Sequence, residues 1–219
     1  MADKDTVRRA YDELVDVYAE ERSENDRGMD LLDEFLRSLS DSASVLDAGC
    51  GQGTPVLSRL SDSATAIGLD FSRGQLRRAA ENAPCASLVQ GDMTAQPFPA
   101  DAFDAVVAFW SLIHVPLDEH QTVIDECARV VRPGGRLLLC EGTNEWSGEN
   151  PNWLESGVKM EWEIAGAKTT ESQLQNAGFT IVDTWGAPEE LGKDENENDD
   201  LDETADEHPW TFFSAQLDR

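Results

Sequence analysis

Through the middle of the chain, short apolar runs alternate with stretches whose apolar residues recur every three or four positions. The runs predict strands over 44–48 (SVLDA), 64–69 (ATAIGL), 86–89 (ASLV), 103–109 (FDAVVAF), 136–141 (RLLLCE), 179–185 (FTIVDTW) and 210–217 (WTFFSAQL). The helical spacings fall between them, over 54–61, 72–82, 117–131 and 169–177. Met29, Leu32, Phe35, Leu36 and Leu39 mark an earlier helix with one buried face, and a further helix is expected over 5–20. Strands alternating with helices predict an α/β fold, a Rossmann-like doubly wound sheet that is mostly parallel. RPGG at 132–135 and NAGF at 176–179 supply the Pro and Gly signals that end helices before the next strand.

Two segments fit neither pattern. Residues 142–168 hold Trp146, Trp153 and Trp162, half of the six tryptophans, and a long loop with large apolar side chains suits a lid or a substrate wall. Residues 189–207 are acidic and have little to bury, so a solvated loop is expected there. At 219 residues the chain suits one domain. It divides into a helical cap over 1–43, a core over 44–142, the lid over 142–168 and the acidic insertion over 189–207.

Charge changes the picture more than composition does. Lys and Arg number 17 against 44 Asp and Glu, a net charge of −27, while the hydrophobic fraction of 40% is ordinary. An acidic surface of this size repels itself in dilute buffer and is tolerated in concentrated salt, where the Debye length shrinks to about 3 Å. The composition resembles that of proteins from salt-loving archaea. It argues against nucleic acid or an anionic membrane as a partner, since both are polyanions. No window approaches the ~20 apolar residues of a membrane span, and the polar N-terminus lacks a signal peptide's apolar stretch, so a cytoplasmic protein, monomer or homodimer, is expected. Cys50, Cys85, Cys127 and Cys140 form no CxxC pair and have no histidine at zinc spacing, which leaves free and mostly buried thiols and no metal site.

The candidate chemistry starts at VLDAGCGQG, residues 45–53, where a strand runs into a glycine loop. In doubly wound sheets ligands sit at that corner. A Walker loop needs a Lys before its Ser/Thr, and Gln52-Gly53-Thr54 has none. A dinucleotide fingerprint reads GxGxxG, whereas here the spacing is GxGxG and Asp47 would oppose a pyrophosphate. S-adenosylmethionine (SAM) carries an ammonium group that welcomes such acceptors, so the loop favours SAM. GLDFS then places Asp70 at a strand end, where one carboxylate accepts from both ribose hydroxyls. In QGDM, Asp92 is placed to accept from an adenine amino group, with Met93 or Phe71 against the ring. The competing reading for each acid is a helix cap.

VLDAGCGQG, GLDFS, QGDMTAQPFPADAFDAVVAFWSLIHV and ECARVVRPGGRLLLCEG, in order over residues 44–142, resemble the successive motifs of small class I SAM-dependent methyltransferases, particularly the ubiquinone/menaquinone-biosynthesis branch. The resemblance implies a seven-stranded sheet whose last strand is antiparallel and inserted beside the sixth, a role WTFFSAQL fits. It implies that Asp47, Gly49, Gly51 and Gly53, with Cys50 between them, surround the methionine part of SAM. Asp70 would take the ribose and Asp92 with Met93 the adenine, while Trp110 and Ser111 lie near the sulfonium. Tyr11 and Tyr18, in YDELVDVYAEE, resemble the family's first-helix tyrosines that cover the cofactor, against an alternative of ordinary amphipathic packing.

Methyl transfer is an in-line displacement that asks the protein to align the acceptor, exclude water and, for some acceptors, remove a proton. His114 in SLIHVP is the candidate base; the blander reading is a histidine bonded to backbone at a helix start. Glu141 and Glu145 are secondary candidates, and the tryptophans of 142–168 are candidates for an acceptor wall or cation cage. AFWS differs from the Asn/Asp-Pro-Pro-Tyr/Phe motif associated with exocyclic amines, which favours a small-molecule acceptor and S-adenosyl-L-homocysteine as coproduct. A noncatalytic SAM-binding regulator and a nicotinamide-dependent oxidoreductase remain as alternatives.

Overall fold

The computed structural model describes residues 3–15, 17, 27–40, 42–186 and 210–218. Tyr18 and the acidic insertion 189–207 lie outside the described residues. Strands β1 (Ser44–Ala48), β2 (Thr65–Asp70), β3 (Ser87–Gln90), β4 (Phe103–Ala108), β5 (Val131–Gly142), β8 (Phe179–Trp185) and β9 (Trp210–Leu217) form one seven-stranded sheet in the order β3-β2-β1-β4-β5-β9-β8. Pairing is parallel from β3 through β5, and β9 is antiparallel to both its neighbours. β1 is flanked by β2 and β4, so the strand order reverses there, which is where a ligand site forms in such sheets.

Period-two alternation makes two cores. Leu46 and Ala48 of β1, Val106 and Ala108 of β4, and Leu137 and Leu139 of β5 face one side, against α5 (His120–Val130) and α6 (Ala167–Asn176). Val45, Ala105, Val107, Leu138 and Cys140 face the other, against α2 (Arg27–Arg37), α3 (Val56–Ser63) and α4 (Arg73–Asn82). The stripe expected from Met29, Leu32 and Phe35 is the face that α2 buries. All four cysteines are free, and only Cys85 is exposed.

Two expectations change on folding. RPGG does not separate α5 from the next strand: β5 starts at Val131, and residues 132–135 loop out of the ladder between the pairs Phe103–Val131 and Ala105–Arg136. Gly135 faces the carbonyl of Asp104 at a distance where a Cβ would sit at 2.8 Å, so the bulge closes only over a bare backbone. Of the helix expected over 5–20, the described part holds α1 (Lys4–Glu13), with Leu14 as its C-cap, and residues 16 and 18–20 lie outside the described residues.

The lid region 142–168 is a β-hairpin rather than a loop: β6 (Trp146–Trp153) pairs antiparallel with β7 (Val158–Ile164). VKMEWEI alternates apolar and charged at every position, which is a half-buried strand's pattern. The hairpin packs on α1 through Met160, Val7 and Ala10, with Tyr11, Trp153 and Trp162 around them. Met160 is fully buried at this seam. Met160→Ala is expected to cost about 2–5 kcal/mol, read as a lower guanidinium midpoint, and to expose α1 to limited proteolysis.

Candidate active site

Asp70 stands at the end of β2, buried to 7% exposure, and accepts from Gly51 N and Ser72 N at 2.8 Å each. The carbonyl of Leu69 beside it accepts from Gly49 N and Cys50 N at 2.8 and 3.0 Å. The glycine loop is thus pinned to β2 rather than to its own strand. Gly49 has φ +81°, and a Cβ there would lie 2.3 Å from Ser111 Cβ, so the loop passes Ser111 only as glycine. Ser111 Oγ in turn donates to the carbonyl of Ala48 at 2.9 Å.

Asp92 follows β3 and caps a short 3-10 turn, Met93–Ala95; its Oδ1 accepts from Thr94 N and Thr94 Oγ1 at 2.9 and 2.8 Å. The cap reading and the binding reading are therefore compatible, since one oxygen serves each. Trp110, just past β4, is held at φ +51°, with its backbone N–H 3.3 Å from Cys140 Sγ. A tryptophan in the left-handed region is strained, and such strain collects at functional sites.

These groups enclose one pocket of about 630 Å³ counting its open mouth, lined by Gly49, Gly51, Asp70, Phe71, Asp92, Met93, Trp110, Ser111, His114 and, from the cover helix, Lys4 and Tyr11. Tyr11 Oη lies 2.8 Å from His114 Nε2, with the two rings edge to face. His114 is 8% exposed in a short turn after β4. Asp12 of the same helix accepts from Ser72 Oγ and Gly74 N at 2.7 and 2.8 Å, fastening α1 to the start of α4.

Several residues singled out from the sequence lie elsewhere. Asp47 is 1% exposed beneath the loop and is not among the pocket-lining residues. The Cys50 side chain turns into the core beside Gly68, and burial with the carboxylates of Asp70 and Asp47 pushes its thiol well above the usual range. Gly53 closes the loop on α4, where a Cβ would sit 3.0 Å from Ala79 Cα. Glu141 is wholly buried at the end of β5, and burial pushes its carboxyl up to about 8. It lies outside the pocket wall. Trp146, Trp153 and Trp162 form a cluster behind Tyr11 and His114, with Tyr11 to Trp153 at 5.6 Å and His114 to Trp162 at 6.3 Å. They brace the wall instead of forming it. Glu145 is exposed.

The pocket also holds residues the sequence reading missed. Gln75 is 1% exposed, donates to the Tyr11 carbonyl at 3.2 Å and has its Oε1 without a partner among the described residues. A polar pocket residue on the buried face of α4 was its only sequence signal. Lys4, Gly91 and Phe109 join it in the wall. Among the described residues no cluster of His, Cys, Asp and Glu is arranged for a metal, and no helix is long and apolar enough to cross a membrane.

Residues 45–135 match the family model described as a methyltransferase domain. The matched span holds the glycine loop, Asp70, Asp92 and His114. The chain is 38% identical over 97 residues to the demethylmenaquinone methyltransferase of Streptomyces avermitilis, covering 44% of this chain and 41% of that protein. It is 29% identical over 189 residues to the sterol 24-C-methyltransferase erg6 of Aspergillus fumigatus, covering 80% and 46%. The chain thus spans less than half the length of these curated relatives. Among solved structures, a SAM-dependent methyltransferase from Methanosarcina mazei superposes with a TM-score of 0.66 at 20% identity over 84% of this chain and 96% of that one. The (4+2)-cyclase SpnF superposes with a TM-score of 0.70 at 22% identity over 96% and 94%. The fold is that of the Rossmann-like methyltransferases.

Burial pushes the Asp70 carboxyl up to about 6, although the Ser72 and Gly51 N–H groups pull it down. The folded protein therefore binds more protons than the unfolded chain between about pH 4 and 6, and this group's contribution to stability is lost as pH rises through that window. Asp70→Asn removes the cost of ionisation. Denaturant titrations from pH 4 to 7 are expected to show the variant gaining on the native protein as pH rises, by up to about 3 kcal/mol.

Proposed function

We propose that the protein is a SAM-dependent methyltransferase acting on a small-molecule acceptor. The observation that carries this reading is the arrangement at the switch point: a bare glycine loop, Asp70 at the end of β2 and Asp92 after β3, all facing one pocket inside the span that matches the methyltransferase-domain model. A dinucleotide would set its pyrophosphate against this acidic rim. The residues fit SAM: Asp70 for the ribose hydroxyls, Asp92 for the adenine amino group, Phe71 and Met93 for the faces of the ring, and the backbone at Gly49 and Gly51 for the methionine part. Asp47, Cys50 and Gly53 shape that loop from behind. The unpartnered Oε1 of Gln75 suits a ribose hydroxyl or the ammonium group.

When bound, SAM supplies a methyl group on a positively charged sulfur. The chain's part is to align, to exclude water and to take a proton. Trp110 and Ser111 close the end of the pocket where the sulfonium would lie, and α1 covers it. Tyr11 and His114 stand together at that end, and the imidazole is the group there placed to receive a proton. Menaquinone-precursor and sterol methyltransferases among the relatives support a small organic acceptor. The fold by itself does not decide methyl transfer, since a cyclase shares it.

Calorimetric titration with SAM, S-adenosyl-L-homocysteine and NAD in molar KCl tests the reading. Micromolar binding of the first two and none of NAD is expected, and NAD binding alone would overturn it. Asp70→Ala is expected to fold and to weaken SAM binding at least about tenfold, because a hydrogen-bonded charged acceptor is lost. Conversion of SAM to S-adenosyl-L-homocysteine over an acceptor panel then reads methyl transfer itself.

The charge of −27 supports a cytoplasm rich in salt as the working environment. The melting temperature is expected to rise with KCl into the molar range; a flat or falling curve would remove the halophilic reading.

A further inference from the structure

The adenine end of the pocket already holds a donor. Lys4, in the first turn of α1, points its ammonium at Asp92 Oδ2, 2.9 Å away, and forms an ion pair with Glu119 Oε2 at 2.6 Å. It also donates to Thr94 Oγ1 at 3.3 Å. The other oxygen of Asp92 is committed to Thr94, through the backbone N–H at 2.9 Å and the hydroxyl at 2.8 Å. Oδ2 is therefore the oxygen left to receive an amino group from the pocket, and Lys4 holds it.

We propose that Lys4 is a built-in competitor for the adenine subsite, holding the carboxylate oxygen that the cofactor's 6-amino group must take. This rests on the SAM reading above. In a chain of net charge −27, Asp92 and Glu119 are two carboxylates that meet on the same ammonium. Lys4 shares its one positive charge between the two carboxylates. When adenine donates to Asp92, Lys4 gives up one of two ion pairs and keeps Glu119. Because Lys4 belongs to α1, cofactor entry and the hold on the cover helix draw on the same ammonium.

The pair is partly exposed, at 28% for Lys4 and 40% for Asp92, so the competition is modest. The test uses two ligands, S-adenosyl-L-homocysteine and its analogue with hydrogen in place of the 6-amino group, titrated calorimetrically into the native protein, Lys4→Met and Lys4→Arg. Lys4→Met is expected to bind S-adenosyl-L-homocysteine about threefold to fivefold more tightly than the native protein and to bind the analogue equally. Lys4→Arg, which keeps the cation, is expected to match the native protein. Equal gains for both ligands would overturn the proposal and make Lys4 a fastener of the cover helix. So would no gain, or a loss, for S-adenosyl-L-homocysteine. Failure of all three proteins to bind either ligand would overturn the cofactor reading and this proposal with it, a result distinct from the others.

Discussion

The carboxylate of Asp70 is the junction on which the site depends. It is buried, and it holds Gly51 N on one oxygen and Ser72 N on the other. The first contact shapes the glycine loop after β1, and the second orients the start of α4 after β2. Burying an acid raises its pKa, here to about 6, so the folded chain bears a cost for keeping it there. That cost is offset by packing across the whole sheet, which presses β2 against β1 in register from Ser44–Thr65 to Ala48–Leu69.

The cover over the pocket is built differently. α1 and the hairpin share a small apolar cluster around Val7, Ala10 and Met160, far smaller than either core of the sheet. The rest of the hold on α1 is polar and falls on the pocket's own rim: Asp12 on Ser72 and Gly74, the Tyr11 carbonyl on Gln75, Tyr11 on His114 and Lys4 on Asp92. An element with little buried apolar area opens at lower free energy than the core, which suits a cover that ligands must pass. The tryptophans behind it pack on one another, Trp162 meeting Trp146 and Trp153 at 6.4 and 6.0 Å.

Much of this was legible along the chain. The strands of the sheet, the helices of α3 to α6 and the paired acids at the ends of β2 and β3 follow from spacing that any short window contains. The hairpin was equally legible in VKMEWEI and in the Ser156-Gly157 turn before it, but the three tryptophans drew that segment toward a loop. The motif resemblance sets Asp47, Cys50 and Gly53 beside Gly49 and Gly51 around the methionine part of SAM. Asp47 is buried beneath the loop, the Cys50 side chain packs beside Gly68, and Gly53 packs against Ala79 of α4, so adjacency along the chain did not carry them into the pocket wall.

The sequence by itself determined the sheet, its two cores and the corner where a ligand would lie, since period-two runs, helical stripes and glycine punctuation act over a few residues. Only the tertiary structure decided what those residues meet. Lys4 reaches Asp92 across 88 positions and Tyr11 reaches His114 across 103. The bulge at 132–135 exists because β4 and β5 must stay paired after α5 ends. Gln75, Lys4 and the bracing tryptophans gained their places from packing between distant segments, and no local pattern encodes which distant segment will arrive.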